Sequence, residues 1–243
     1  ESAAECQGCE PPEPSSGNYF VSSYPPFSCW DADQLDRVQP VFDRPPTTSH
    51  DVPLGLYAHV PFCAERCHYC YYRSYAQPTH DQTDHYIDVL LNELTTYAQT
   101  PAVAGRDLDF IYVGGGTPSL LSARQIQRLF DGIRKLFPFD SAREVTFECA
   151  PQSATEDRLR VLRDVGVTRI SMGVQQLDDE VLRKSGRIHR VEHVERAWER
   201  IEPLGFPVVN LDLMVGLVGE TEESFFGSLG RIIEMGPPSV TIY

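Results

Sequence analysis

From Leu54 onward, short apolar runs alternate with longer amphipathic stretches. The pattern predicts strands at 54–60, 109–114, 143–149, 169–174, 208–215 and 239–243. Between them it predicts helices near 82–99, 122–137, 155–165, 190–203 and 222–235. Strands that alternate with helices are typical of a parallel sheet, because each parallel strand needs a long crossover connection. We therefore expect an α/β fold, either a partial (β/α)6 TIM-type barrel or a doubly wound sheet.

Polar residues mark the ends of three successive predicted strands. Strict alternation places them in pairs on one face of each strand: Thr146 with Glu148, Ser171 with Gln175, and Asn210 with Asp212. Any one of them could equally be a hydrogen-bonded core residue. Together they favour the barrel, because parallel barrels build their active sites at the carboxyl ends of the strands.

Residues 1–53 differ in composition from the rest of the chain. They are rich in Pro, Ser, Asp and Glu, which predicts an extended N-terminal arm ahead of a core domain over 54–243. Aromatic residues are interleaved there, so we expect the arm to pack on the domain. The chain begins without Met and ends on an apolar run at Tyr243, and we expect it to belong to a longer protein.

Charge and composition narrow the class of partner. The formal net charge of −14 argues against nucleic acid or an anionic membrane surface, since both attract basic proteins. No apolar run is long enough for a membrane span. We expect a cytoplasmic protein with a small-molecule or protein partner.

Three of the seven cysteines lie close together, in a loop that follows the first predicted strand. Cys63, Cys67 and Cys70 have the spacing Cys-X3-Cys-X2-Cys, which suits an iron–sulfur cluster with one iron left open. A structural zinc ion would need a fourth ligand, and His68 is awkwardly placed inside the X2 gap. Cys6 and Cys9 form a second pair without partner ligands nearby, and their role stays open.

A glycine triplet, Gly114, Gly115 and Gly116, ends the second predicted strand. Glycines at such a point let the backbone approach a ligand closely, although a tight turn alone would also use them. No Gly-Lys-Ser/Thr follows, which excludes a nucleotide P-loop.

The segment 57–70, Tyr-Ala-His-Val-Pro-Phe-Cys-Ala-Glu-Arg-Cys-His-Tyr-Cys, resembles the cluster loop of radical S-adenosylmethionine (SAM) proteins of the oxygen-independent coproporphyrinogen III oxidase type. The resemblance implies a metal-binding oxidoreductase of the TIM-barrel class whose [4Fe-4S] cluster is held by Cys63, Cys67 and Cys70. It further implies that SAM binds the open iron and is reductively cleaved to a 5′-deoxyadenosyl radical. The implied reaction is an oxidative decarboxylation in porphyrin and haem biosynthesis, with a tetrapyrrole substrate and an electron donor such as flavodoxin or ferredoxin.

The same resemblance, which covers roughly residues 54 to 243, implies a SAM site. The glycine motif would meet the amino group of SAM, Arg187 its carboxylate and Asp212 its ribose, with Gln175 and Glu148 also near the cofactor. The remaining cofactor-binding positions that it implies are Tyr57, Tyr69 and Thr117.

Two departures from the oxidase pattern keep other functions open. Tyr71 and Tyr72 stand where the oxidases typically have Gly-Cys, and Val218 replaces a proline of the usual Gly-Leu-Pro-Gly. One alternative is a methyltransferase or cyclopropane-forming enzyme of the same subfamily, which would use a second SAM. Another is a haem chaperone without oxidase activity, although the aromatic N-terminal arm argues against it.

Overall fold

A computed structural model describes residues 31–45 and 52–243. Its strands are β1 Gly55–Val60, β2 Phe62–Cys63, β3 Tyr75–Ala76, β4 Phe110–Gly115, β5 Glu144–Cys149, β6 Arg169–Gln175, β7 Val208–Leu213 and β8 Ser239–Ile242. Its α-helices are α1 Gln39–Phe42, α2 His80–Ala98, α3 Ala123–Leu136, α4 Glu156–Asp164, α5 Asp179–Lys184, α6 Val191–Ile201 and α7 Glu222–Met235. The six strands and five helices predicted from periodicity are all present, with bounds that differ by one or two residues at most ends.

The main sheet has six parallel strands in the order β1-β4-β5-β6-β7-β8, so each strand pairs with the next one along the chain. A doubly wound sheet would reverse this order near its middle. The order instead follows an arc, with β1 and β8 at its two edges. This confirms the partial TIM-type barrel.

The two faces of the sheet have opposite chemistry. One face carries apolar side chains that form a single core with the helices, among them Ala58, Val113, Phe147, Met172 and Leu211. The alternate positions face the inside of the arc and are mostly polar: Tyr57, His59, Tyr112, Thr146, Glu148, Arg169, Ser171, Asn210, Asp212, Ser239 and Thr241. An inner face of this composition is suited to a ligand rather than to a packed core.

Side chains at the helix starts satisfy the first backbone N–H groups. Thr79 and Ser122 form reciprocal capping boxes at α2 and α3. Thr221 forms a third capping box at α7, whereas Thr155, the N-cap of α4, makes no side-chain hydrogen bond to the helix backbone. At the other end of α7, Gly236 adopts a left-handed φ of 68° that terminates the helix.

Some elements differ from the expectation. The pair β2–β3 and helix α5 were not predicted, because two-residue strands and a six-residue helix are too short to show a periodic pattern. Within the predicted arm, 32–37 forms a 3-10 helix and Gln39–Phe42 one α-helical turn, so this part is not extended. Phe42 packs on Tyr97 of α2, with ring centroids 5.3 Å apart. Residues 1–30 and 46–51 of the arm, with Cys6, Cys9 and Cys29, lie outside the described ranges.

Among the residues that the structure describes, none of the helices combines the length and the apolar character that a membrane crossing requires.

Candidate cluster and cofactor site

The cysteine loop leaves β1 and is held in place by backbone contacts. Cys63 is buried in β2, and its carbonyl oxygen accepts a hydrogen bond of 2.9 Å from the Gln77 N–H. Cys67 and Cys70 are half-buried further along, and the Cys70 N–H donates to the Cys67 carbonyl at 3.1 Å. The Arg66 guanidinium donates two hydrogen bonds to the Cys70 carbonyl oxygen, at 3.2 and 2.8 Å. These bonds shape the turn that carries the three thiols.

The donor set fits a cluster better than a single ion. Within the described part of the chain, no three His, Cys, Asp or Glu side chains converge as one metal ion would require. An iron–sulfur cluster needs no such convergence, since each thiolate binds a different iron. The His68 ring lies away from the thiols, with Nδ1 3.1 Å from the Lys184 carbonyl oxygen, so it does not supply the fourth zinc ligand.

The glycine turn after β4 packs directly on the cysteine loop. The Gly116 N–H donates to the Val60 carbonyl at 2.8 Å, and the Thr117 N–H to the Phe62 carbonyl at 2.7 Å. The Thr117 hydroxyl lies 3.8 Å from the Cys63 sulfur. A β-carbon on Gly116 would lie 2.6 Å from the Phe62 carbonyl oxygen and 2.9 Å from the Cys63 sulfur, so a larger residue cannot fit without displacing the loop.

Glu148 lies beneath this turn at the end of β5. Its Oε1 accepts a 2.6 Å hydrogen bond from the Tyr112 hydroxyl, and its Oε2 accepts one of 3.0 Å from the Gly115 N–H. Burial raises the pKa of the Glu148 carboxyl, and these two hydrogen bonds partly oppose the shift. A β-carbon on Gly114 would lie 2.9 Å from the carboxyl group, so the glycine permits this close approach.

Arg187 connects the cysteine loop with β6. Its guanidinium donates to the Gly173 carbonyl at 2.7 Å and to the Cys67 sulfur at 3.5 Å. Gln175 lies at a register shift between β6 and β7 and has a left-handed φ of 67°. Its side-chain nitrogen reaches back over Gly173, so the Gln175 amide and the Arg187 guanidinium lie beside the same residue.

Among the described residues, the buried polar atoms without a hydrogen-bond partner include Tyr69 Oη and Ser74 Oγ on the cysteine loop and Gln175 Oε1 beside Arg187. Burial raises the pKa of Tyr69; the neighbouring Arg187 cation opposes this rise, and the nearby Cys67 and Cys70 add to it. Buried polar atoms are normally paired, so atoms left free here indicate a place where a ligand supplies the partner. With the glycine cradle and the three thiols, they fit a cluster with SAM bound beside it.

Asp212 completes the inner face on β7. Its carboxylate accepts hydrogen bonds from Asn210 Nδ2 at 2.7 Å and from the Ser171 hydroxyl at 3.1 Å. Burial raises the pKa of Asp212, and the negative charge of Asp212 in turn raises the pKa of Glu148. Hydrogen bonds therefore join Ser171, Asn210 and Asp212 of the expected polar face across β6 and β7. Thr146 instead donates to Glu144 on its own strand, and Gln175 lies beside Arg187.

Tyr57 lies at the exposed side of this group. Its hydroxyl is 2.9 Å from His59 Nδ1, and burial of part of the side chain raises its pKa to about 12. More than half of the side chain stays accessible, which leaves the ring free to contact a bound molecule.

Sequence reasoning missed two residues of the site. Tyr112 holds Glu148, and its place on the same strand face, two residues before Gly114, was the available signal. His189 lies behind Arg187, whose Nε donates to His189 Nδ1 at 3.1 Å, and its position two residues after Arg187 was the only signal.

An arc of parallel strands, with a Cys-X3-Cys-X2-Cys loop after the first strand and a glycine turn after the next, defines the radical SAM class of proteins. The chain belongs to the radical SAM superfamily, whose family model matches residues 57–230. Members of this superfamily use a [4Fe-4S] cluster and SAM.

Two protein names recur among the similar proteins. The chain is 40% identical over 194 residues to the heme chaperone HemW of Escherichia coli, covering 79% of this chain and 50% of the relative. It is 35% identical over 191 residues to the oxygen-independent coproporphyrinogen III oxidase of the same organism, covering 79% of this chain and 41% of the relative. The chain thus spans about half the length of the curated relatives it matches.

Among solved structures, the coproporphyrinogen III oxidase HemN of Escherichia coli superposes with a TM-score of 0.80 at 34% identity, over 93% of this chain and 51% of that one. The radical SAM methyltransferase TsrM of Kitasatospora setae superposes with a TM-score of 0.54 at 16% identity, over 76% of this chain and 35% of that one. At 16% identity, the similarity to TsrM shows only that the two proteins share a fold.

Proposed function

We propose that this chain is the catalytic core of a radical SAM enzyme that acts on a tetrapyrrole, with oxidative decarboxylation of coproporphyrinogen III as its activity. The observation that carries the proposal is the Arg187 guanidinium, which reaches the Cys67 sulfur while it is anchored to Gly173 on β6. One cation thereby connects the cluster loop to the inner face of the barrel. The tetrapyrrole is supported by the names of the relatives.

In this proposal Cys63, Cys67 and Cys70 hold the cluster as thiolates and leave one iron for SAM. When bound, the cluster and SAM supply the one-electron cleavage of the sulfonium. The chain's own contribution is to hold SAM in place and keep water away. The partly buried Thr117–Cys63 contact would shield the cluster on the side of the glycine turn.

Charge complementarity supports the placing of SAM. SAM has a cationic amino group at its methionine end and a cationic sulfonium at its centre. Glu148 is a buried acid whose charged form gains from a nearby cation. Arg187 is the cation for the SAM carboxylate, and Asp212 at the far side of the arc accepts from the ribose hydroxyls. Gln175, Tyr69, Tyr57 and the backbone of the glycine turn supply further contacts.

The electron donor in this proposal is an external protein such as flavodoxin or ferredoxin, and the compartment is the cytoplasm. Clustered, uncrosslinked thiols are typical of a reducing compartment.

The cluster assignment is tested by substitution. After anaerobic reconstitution, Cys63→Ala, Cys67→Ala and Cys70→Ala should each lose the bound iron and the brown colour. Cys149→Ala is the control. Cys149 is also a cysteine without a disulfide bond, but it lies at the end of β5 and outside the cluster loop. Iron loss in the control equal to that in the three variants would contradict the assignment.

The substrate is tested by anaerobic incubation with SAM, a reductant and coproporphyrinogen III, followed by mass analysis. The expected products are 5′-deoxyadenosine and a porphyrinogen that has lost carbon dioxide. A methylated product would instead favour the methyltransferase alternative. Because the chain spans about half the length of its relatives, the assay includes a full-length coproporphyrinogen III oxidase as the positive control.

A haem chaperone is the second candidate. It is favoured by the 40% identity to HemW and by Tyr71 and Tyr72, which stack with ring centroids 4.4 Å apart where the oxidases typically have Gly-Cys. Stoichiometric haem binding without decarboxylation of coproporphyrinogen would select this candidate.

A further inference from the structure

His189 lies on the loop between α5 and α6, directly behind Arg187. It is among the most buried polar residues of the structure, at 1% exposure. Its ring bonds on both sides: Nδ1 lies 3.1 Å from Arg187 Nε, and Nε2 lies 3.0 Å from the Val174 carbonyl oxygen. The ring is thus wedged between β6 and the guanidinium.

The chemistry of the two partners determines where the ring proton lies. A guanidinium nitrogen can only donate, so Nδ1 must present its lone pair to Arg187. A carbonyl oxygen can only accept, so the proton is on Nε2 and points at Val174. Burial, and to a lesser degree the charge of Arg187, lowers the pKa of His189 to about 3, which agrees with a neutral ring.

This arrangement determines the direction of the Arg187 guanidinium. Its Nε is held by His189, one terminal nitrogen by the Gly173 carbonyl at 2.7 Å, and the other reaches the Cys67 sulfur at 3.5 Å. Three contacts on three nitrogens define the plane of the group. One N–H donor on each terminal nitrogen is then left for a ligand.

We propose that His189 is a positioning residue that orients Arg187 to hold the carboxylate of SAM beside the Cys67 thiolate. The inference rests on the proposed role of Arg187 and adds the residue that sets its geometry. His189 itself touches neither the cluster nor SAM in this arrangement.

Two conservative variants separate the two hydrogen bonds of the ring. In His189→Asn the amide oxygen lies about where Nδ1 was, so it accepts from Arg187 but does not reach Val174. In His189→Gln the amide nitrogen lies about where Nε2 was, so it donates to Val174 but leaves Arg187 Nε without its acceptor. If His189 had only a structural role, the two variants would not differ in their affinity for SAM.

The measurement is the dissociation constant of SAM and of decarboxylated SAM for the reconstituted, oxidised protein, by anaerobic equilibrium dialysis. We expect the wild type and His189→Asn to prefer SAM by about tenfold or more, which is the range of a charge-assisted hydrogen-bond pair. His189→Gln should lose most of that preference while it binds decarboxylated SAM as the wild type does. Iron content and thermal unfolding are recorded for each variant.

Equal preference in all three proteins would overturn the inference, and so would a preference that His189→Gln keeps and His189→Asn loses. Arg187→Ala distinguishes a failure of the proposed role of Arg187 from a failure of the proposed role of His189. If Arg187→Ala also keeps the preference, the proposed role of Arg187 fails. If Arg187→Ala loses it and His189→Gln does not, the positioning role alone fails.

Arg187→Lys tests the inference if neither histidine variant folds. Lysine keeps the charge but has no counterpart of the guanidinium Nε that His189 binds. The variant should lose the preference for SAM, and a preference equal to that of the wild type would show that the positioning by His189 is not needed.

Discussion

Gly116→Ala tests whether the glycine turn and the cysteine loop act as one unit. The added β-carbon would lie 2.6 Å from the Phe62 carbonyl oxygen and 2.9 Å from the Cys63 sulfur, whereas ordinary contact begins at 3.4 Å. The first contact is with backbone, which cannot rotate away as a side chain would. The loop must therefore move by several tenths of an ångström, and overpacking of this kind costs about 1–3 kcal/mol.

The displacement acts on Cys63, because Phe62 and Cys63 are paired with β3 as one short strand. We expect Gly116→Ala to lower the free energy of unfolding of the cluster-free protein by about 1–3 kcal/mol, measured in urea. We also expect it to lower the iron bound per chain after anaerobic reconstitution. Binding of the cluster needs all three thiols in register, so a shift of one of them weakens the set.

Gly227→Ala is the matched control. Gly227 is in α7, and a β-carbon there has no neighbour within 4 Å. Alanine in a helix is favoured over glycine by roughly 0.5–1 kcal/mol, so this variant should be slightly more stable and should bind the wild-type amount of iron. If Gly116→Ala matches this control in both measurements, the reasoning from close packing is refuted. If Gly116→Ala lowers the stability but binds the wild-type amount of iron, the expected effect of the glycine turn on cluster binding is wrong.

Arg187→Ala should weaken SAM binding by roughly ten- to 150-fold in equilibrium dialysis, because hydrogen bonds to a charged group contribute about 1.5–3 kcal/mol; an unchanged affinity would count against its role. Asp212→Asn should stabilise the cluster-free protein at neutral pH. Burial raises the pKa of Asp212, so its carboxyl group holds a proton more tightly in the folded than in the unfolded state. The wild-type protein therefore loses stability as the pH rises above the ordinary pKa of an aspartate. The stabilisation should vanish below about pH 4, and urea unfolding at both pH values checks the sign. Tyr112→Phe leaves Glu148 Oε1 without its donor and should cost about 1–2 kcal/mol in the same assay, whereas an unchanged value would show that the 2.6 Å bond contributes nothing.

Local patterns determined the elements of this fold. Short apolar runs located the main strands, and amphipathic periodicity located the long helices, because each pattern extends over a whole element. The cysteine spacing and the glycine triplet were equally visible, since the residues of each motif are neighbours in the chain. The inner face of Glu148, Ser171 and Asp212 followed from strand alternation, once the strands were assumed to be parallel.

Tertiary structure decided which of these groups meet. Arg187 reaches Cys67 across 120 positions of the chain, and no local pattern encodes a contact at that separation. The register shift at Gln175 and the burial of His189 likewise depend on how β6 packs against its neighbours. A hydrogen bond between distant residues depends on positions within a few tenths of an ångström, and those positions are set by the packed core as a whole. The sequence by itself therefore determined the class of site, and the packing of the barrel determined which side chain orients which.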